Sequence, residues 1–197
     1  MEPPRVVQIT EAAALPEAAL FARLAAVSAL APAARARFAV QLRDPDLSSR
    51  ALADLGKRLR AATRAQGIAL VINDRLDLAL ALGADGVHLG RRSVTVADAR
   101  ALLGPAAWIS AACHDVDDVI RAAAAGADAA TLSPIFASPG KGTPLGLAAL
   151  QAARSALGGR RLALYALGGV DRASAPSCFA AGADGVASIR ADLSTLL

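Results

Sequence analysis

The sequence predicts a closed (β/α)8 TIM barrel, read as one domain over residues 1–197, and three observations carry that expectation. Eight short apolar runs alternate with helix-like segments along the whole chain. Such alternation implies parallel pairing through crossover helices, and eight units close into a barrel more readily than they extend as an open sheet. A Gly-Ala-Asp step also recurs, as GADGV at 83–87, GADAA at 126–130 and GADGV at 182–186. No Pro/Ser/Gly stretch is long enough to divide domains, and 197 residues leave room for few insertions in this architecture.

The units follow in order. RVVQIT (5–10) leads into PEAALFARLAAVSAL, and FAVQLR (38–43) into LSSRALADLGKRLRAATRAQ. IALVIN (68–73) precedes RLDLALAL, GVHL (86–89) precedes TVADARALL, and WISAA (108–112) precedes DVDDVIRAAAA. AATLS (129–133) is followed by a Gly/Pro-rich loop and then GLAALQAARSAL. LALYAL (162–167) precedes RASAPSCFAA, and GVASI (185–189) is the last strand. The runs have strand length and apolar character, and the segments between them have helical spacing. At each Gly-Ala-Asp step a glycine ends a helix and a strand begins. Asp85, Asp128 and Asp184 therefore sit at strand beginnings, the stability end of a barrel, and read as structural.

Composition narrows the function classes. Hydrophobic residues are 55% and charged residues 19%, a globular balance. No apolar run reaches the roughly 20 residues that span a bilayer, and MEPPRVVQIT lacks a signal-peptide pattern, so a cytoplasmic protein with no membrane role is expected. The net charge of +4 comes from scattered arginines, with Lys57 and Lys141 the only lysines. With aromatics at 3%, little is available for base stacking, and no nucleic-acid partner is expected. Cys113 and Cys178 are too few for a disulfide framework and read as buried free thiols.

Barrels of this kind act where strands end and loops begin. Glycines after strand seven, Gly168 and Gly169, let backbone N–H groups approach an anion, and Ser188 and Arg190 lie at the end of strand eight. The loops after these two strands are a recurrent phosphate site in the fold, and Arg190 can add a charge-assisted contact. Lys141, in SPIFASPGKGTPLG (133–146), reads equally as a cation on a closing loop or as a solvated surface lysine. Gln41 and Arg43 alternate onto one face with Leu42 opposite. Arg43 suits an anion, and Asp44 suits proton transfer. His114 suits acid/base work, while Cys113 beside it should face the other way, which rules out a Cys–His nucleophile. His88 reads as a packed or hydrogen-bonded barrel residue. Asn73 and Asp74 offer oxygen ligands for Mg²⁺ or, alternatively, a cap for the following helix.

QLRD at 41–44, INDRLDLAL at 72–80, GADGVHLG at 83–90, CHD at 113–115, SPIF at 133–136, LGGV at 167–170 and GADGVASI at 182–189 together resemble the thiamine phosphate synthase/TenI family. The resemblance implies a thiazole phosphate ligand and a part in thiamine biosynthesis or salvage. Synthases of that family join the thiazole phosphate to a pyrimidine diphosphate, with Mg²⁺ stabilising the departing pyrophosphate. TenI-type members lack that activity, and some move a proton to aromatise a thiazole carboxylate phosphate. Several positions depart from the synthase pattern. Pro45 replaces a lysine, Arg91-Arg92-Ser93 replaces an acidic metal ligand, Ala112-Cys113 replaces a serine before His114, and Arg190 stands near the usual serine of strand eight. The leading expectation is thus a TenI-like isomerase needing no cofactor, with Asp44 and His114 exchanging protons. Gln41, Arg43, Asn73, Lys141, Gly168, Gly169, Ser188 and Arg190 would bind the ligand. One alternative is a divergent synthase using Asp74 for Mg²⁺; the other is a non-catalytic, phosphate-binding regulatory barrel. Barrels of this family commonly pair, which leaves a homodimer open.

Overall fold

The computed structural model describes residues 2–197. Eight parallel strands follow one another around a closed barrel: β1 (Val6–Ile9), β2 (Phe38–Leu42), β3 (Ala69–Asn73), β4 (Gly86–Leu89), β5 (Trp108–Cys113), β6 (Ala129–Leu132), β7 (Ala163–Ala166) and β8 (Gly185–Ser188). β8 closes the ring on β1, with Val6 opposite Val186 and Gln8 opposite Ser188. The helices are α1 (Glu17–Ser28), α2 (Pro32–Arg35), α3 (Ser49–Gln66), α4 (Leu76–Leu82), α5 (Val96–Leu103), α6 (Val116–Ala124), α7 (Gly146–Leu157) and α8 (Ala175–Ala180). The short α2 and a terminal 3-10 turn at Ser194–Leu196 were not expected from the sequence. Neither is long enough to show a period. Among the described residues, no helix is long and apolar enough to cross a membrane.

Alternation along the strands makes two cores. Val40, Leu42, Leu70, Ile72, Val87, Ile109, Leu132 and Leu164 point outward and pack against helix residues such as Leu24, Leu59, Val119 and Leu150. Val71, Trp108, Ala129, Ala163 and Tyr165 point inward and fill the lower barrel. Large and small residues interlock there: a Cβ on Gly185 would lie 2.3 Å from the Tyr165 ring. Burial raises the Tyr165 phenol far above its ordinary pKa, and its hydroxyl donates to the carbonyl of Pro4 at 2.5 Å.

The three Gly-Ala-Asp steps build one device three times. The Asp85 amide donates to the Leu70 carbonyl at 2.9 Å, and its carboxylate accepts from the Leu70 amide at 2.8 Å and from Arg60 at 2.6 Å. Asp128 does the same with Ile109, at 2.8 Å in each direction, and takes Arg100 at 2.7 Å. Asp184 exchanges bonds with Leu164 at 2.8 and 2.7 Å and pairs with Arg154. Each carboxylate thus continues the ladder at the amino end of its strand and ties it to a helix. This confirms the structural reading of the three aspartates.

Replacing Asp128 with Ala strands the Ile109 amide and the Arg100 guanidinium. Asp128→Ala is expected to cost about 2 kcal/mol of stability, as charged hydrogen bonds of this kind typically do, and Asp128→Asn less. Urea unfolding at neutral pH measures both.

Candidate active site

The rim at the carboxyl ends of the strands carries a cavity of about 270 Å³ above β7 and β8. Its lining includes Ser138, Gly168, Gly169, Ser188, Ile189 and Arg190. Gly168 and Gly169 adopt φ of 93° and 65°, and the loop after β6 packs directly on them. A Cβ on Gly168 would meet Pro134 at 2.7 Å, and one on Gly169 the Ala137 carbonyl at 2.5 Å. The Ile135 and Phe136 amides donate to the carbonyls of Leu167 and Gly168, both at 2.9 Å. A trans peptide is planar, so a carbonyl held on one side sends the next N–H to the other. The Gly168 and Gly169 amides are therefore turned away from that loop. Among the described residues they donate to no protein acceptor, nor do the amides of Ile189 and Arg190. Unpaired amides lining one concavity suit an anion.

A second polar group lies across the mouth on β2, β3 and β4. The Gln41 amide donates to Asn73 Oδ1 at 3.0 Å, and Asn73 Nδ2 donates to Asp74 Oδ2 at 2.8 Å. Asp74 Oδ1 accepts from the Gly90 amide at 2.9 Å and from the Ser93 hydroxyl. Asp74 holds φ at 59°, a left-handed conformation uncommon outside glycine, asparagine and aspartate. Its carboxylate therefore reaches sideways to the next loop. It does not cap α4, whose N-cap is Arg75 without a side-chain hydrogen bond. The helix-cap alternative fails for that reason.

The sequence's other candidates are distributed as follows. Gln41 and Asn73 meet, while Leu42 joins the outer core, as alternation required. Arg43 is engaged by Glu11, 2.6 Å away, a partner that the sequence reading missed. Asp44 is buried just beyond the end of β2. Its carboxylate accepts from the Ala12 amide at 2.6 Å and the Asp46 amide at 3.3 Å. His114 is exposed at the end of β5, with Nδ1 3.2 Å from the Ser133 carbonyl, and Cys113 beside it is buried in the outer core. Asp44 and His114 share no hydrogen-bond partner. Lys141 is exposed, and Ser138 and Pro139 line the cavity from its loop. Ser188 uses its hydroxyl to accept the Ala191 amide at 3.0 Å.

Magnesium typically binds one or two carboxylates together with substrate phosphates. Asp74 is a single carboxylate with both oxygens hydrogen-bonded, and Ser93 stands where a second acid would be needed. Among the described residues, no group of three or more His, Cys, Asp and Glu is placed to hold a metal. The donor set does not fit a resident Mg²⁺ ion.

His88, inward on β4, pairs Nδ1 with Ser110 Oγ at 2.8 Å. Burial pushes its pKa down to about 4, with smaller opposed influences from Asp74 and Arg43. Burial likewise pushes the Cys113 thiol up to about 12. These groups are neutral and structural at physiological pH.

The fold and this rim define the class: a (β/α)8 barrel whose candidate site is an amide-lined cavity over its last two strands. Comparison with known proteins then gives the family. The family profile described as thiamine monophosphate synthase (TMP-TENI) matches residues 9–191. A putative thiamine-phosphate synthase of Geobacter sulfurreducens is 43% identical over 155 residues, covering 77% of this chain and 71% of that protein. The thiamine-phosphate synthase of Methanoculleus marisnigri is 44% identical over 155 residues, with coverage of 77% and 72%. A Gloeobacter violaceus synthase, 41% identical over 154 residues, is longer, and the match covers 44% of it. Among solved structures, thiamine phosphate pyrophosphorylase from Pyrococcus furiosus superposes with a TM-score of 0.78 at 26% identity, over 94% of this chain and 85% of that one. The chain belongs to the thiamine monophosphate synthase family.

Two outcomes follow from this geometry. His88 is neutral in the folded state down to about pH 4 but titrates near 6.5 when unfolded. The unfolded chain therefore binds more protons between those values, so the contribution is complete above pH 6.5 and is lost as pH falls towards 4. The expected slope is at most about 1.4 kcal/mol per pH unit, flattened in His88→Gln, and urea unfolding across this window measures it. Millimolar MgCl₂ added to the protein alone is expected to leave its melting temperature unchanged.

Proposed function

We propose that this barrel is a thiamine-phosphate synthase-type transferase, which joins a thiazole phosphate to a pyrimidine diphosphate with release of diphosphate. The observation that carries the reading is the set of unpaired amides at Gly168, Gly169, Ile189 and Arg190 around one cavity. Four N–H groups and a guanidinium suit the phosphate of the thiazole substrate. The loop through Ser138 and Lys141 borders the same cavity, so its cation is available to the departing diphosphate. Gln41 and Asn73 orient each other on the facing strands and present amide groups to the second substrate. Family membership and the names of the relatives favour this transferase reading.

The isomerase reading draws no such support. Asp44 and His114 share no hydrogen-bond partner, and the relatives compared are named as synthases.

The test is direct. Purified protein is incubated with thiazole phosphate and pyrimidine diphosphate, with Mg²⁺ supplied, and thiamine phosphate is followed by chromatography. Product above the protein-free control is expected. Arg190→Ala should raise KM for the thiazole phosphate roughly tenfold with a smaller change in kcat, as for loss of a charge-assisted ground-state contact. Absence of product, from protein that binds the thiazole phosphate, would overturn the transferase reading and leave a ligand-binding barrel.

A further inference from the structure

Two polar residues beneath the cavity are used by nothing described so far. Gln8 lies on β1, in the apolar run RVVQIT, and is 3% exposed. Arg23 lies in the middle of α1 and is half-buried. Between them they take the carbonyls of four consecutive residues, from the last of β8 onward. Gln8 Nε2 donates to Ser188 at 3.1 Å and Ile189 at 2.9 Å, and also to Ile9 at 3.1 Å. Arg23 Nη2 donates to the carbonyl of Arg190 at 2.7 Å, and its Nη1 to that of Ala191 at 3.1 Å. The same Nη1 donates to Gln8 Oε1 at 2.8 Å, which fixes the orientation of the glutamine amide.

The consequence is geometric. In a trans peptide the carbonyl of one residue and the N–H of the next point in opposite directions. Holding the Ser188 carbonyl towards Gln8 aims the Ile189 N–H away from it, and holding the Ile189 carbonyl aims the Arg190 N–H likewise. Both residues line the cavity, and neither amide has a protein acceptor among the described residues. The Ala191 N–H, next in line, is taken by Ser188 Oγ at 3.0 Å, which tightens the turn. A buried glutamine in an apolar strand and an arginine bound to two successive carbonyls are costly to keep unless their bonds are made. Here four of those bonds fall on a single segment of the rim, and a fifth joins the two side chains to each other. The guanidinium also places a positive charge one peptide layer behind the free amides, where aligned peptide dipoles pass its field to the cavity.

We infer that Arg23, acting through Gln8, is a positioning residue for phosphate binding, holding the 188–191 carbonyls back so that the Ile189 and Arg190 amides meet the ligand's phosphate. It touches no substrate. The inference rests on the reading of the cavity as a phosphate site, and the experiment separates the two.

Inorganic phosphate is titrated into the full chain by calorimetry, with amide chemical shifts of Ile189 and Arg190 followed in parallel. The wild type is expected to bind, with both amides moving. Arg23→Met should bind roughly tenfold more weakly, the scale of a lost charged hydrogen-bond network, with reduced movement of these two amides. Arg23→Lys, which restores the charge and part of the bonding, should recover part of the affinity. Arg23→Gln is the reserve should the Met variant not fold, with the same expectation. Binding by the wild type together with equal binding by the folded neutral variant would overturn the inference and spare the phosphate site. So would an affinity loss that follows the melting temperature across the series, without recovery in Arg23→Lys. No phosphate binding by the wild type would overturn the phosphate site itself, and the inference with it.

Discussion

The carboxylates at the starts of β4, β6 and β8 are the interaction on which the rest of this molecule depends. A short parallel strand has little ladder to hold it, and four of these strands' residues at most lie in each. Asp85, Asp128 and Asp184 lengthen the ladder by one reciprocal step, then bind an arginine from the helix before the preceding strand. Strand and helix are thereby locked at the floor of the barrel. The opposite rim, free of that duty, can spend its backbone groups on a ligand.

Carbonyl capture is the complementary theme at that rim. On the β7 side, loop amides of Ile135 and Phe136 hold the carbonyls of Leu167 and Gly168. On the β8 side, Gln8 and Arg23 hold those of residues 188–191. In both places the peptide plane converts a captured carbonyl into an N–H aimed elsewhere. Glycine is needed at 168 and 169 because the backbone is left-handed there and a neighbouring loop presses on it. At 189 and 190 no such pressure exists, and ordinary side chains are accommodated.

The β2–β4 side of the mouth is built differently. Its polar atoms satisfy one another, from Gln41 through Asn73 to Asp74, and end on Ser93 and the Gly90 amide. A hydroxyl at position 93 can both accept from the Gly90 amide, at 2.7 Å, and donate to Asp74. A second carboxylate at that point could only accept, and would repel Asp74 unless a cation lay between them. Serine therefore makes the pair self-sufficient, and the arginines at 91 and 92 leave the loop basic.

The sequence by itself determined the barrel, its strand order and the rim that carries the site, because those follow from local periodicity and from glycines and aspartates recurring at fixed steps. It also determined that Gln41 and Arg43 share a face opposite Leu42. Asp44, which the sequence offers for proton transfer, accepts the backbone amides of Ala12 and Asp46 in the structure. What only the tertiary structure decided is which side chain answers which backbone group. Arg23 and Arg190 are 167 residues apart, and Gln8 and Ile189 are 181 apart. A buried glutamine in RVVQIT signals that some partner exists, but its identity comes only when β8 closes against β1. Closure is a property of the whole ring, so the contacts made across it have no trace in any local stretch of chain.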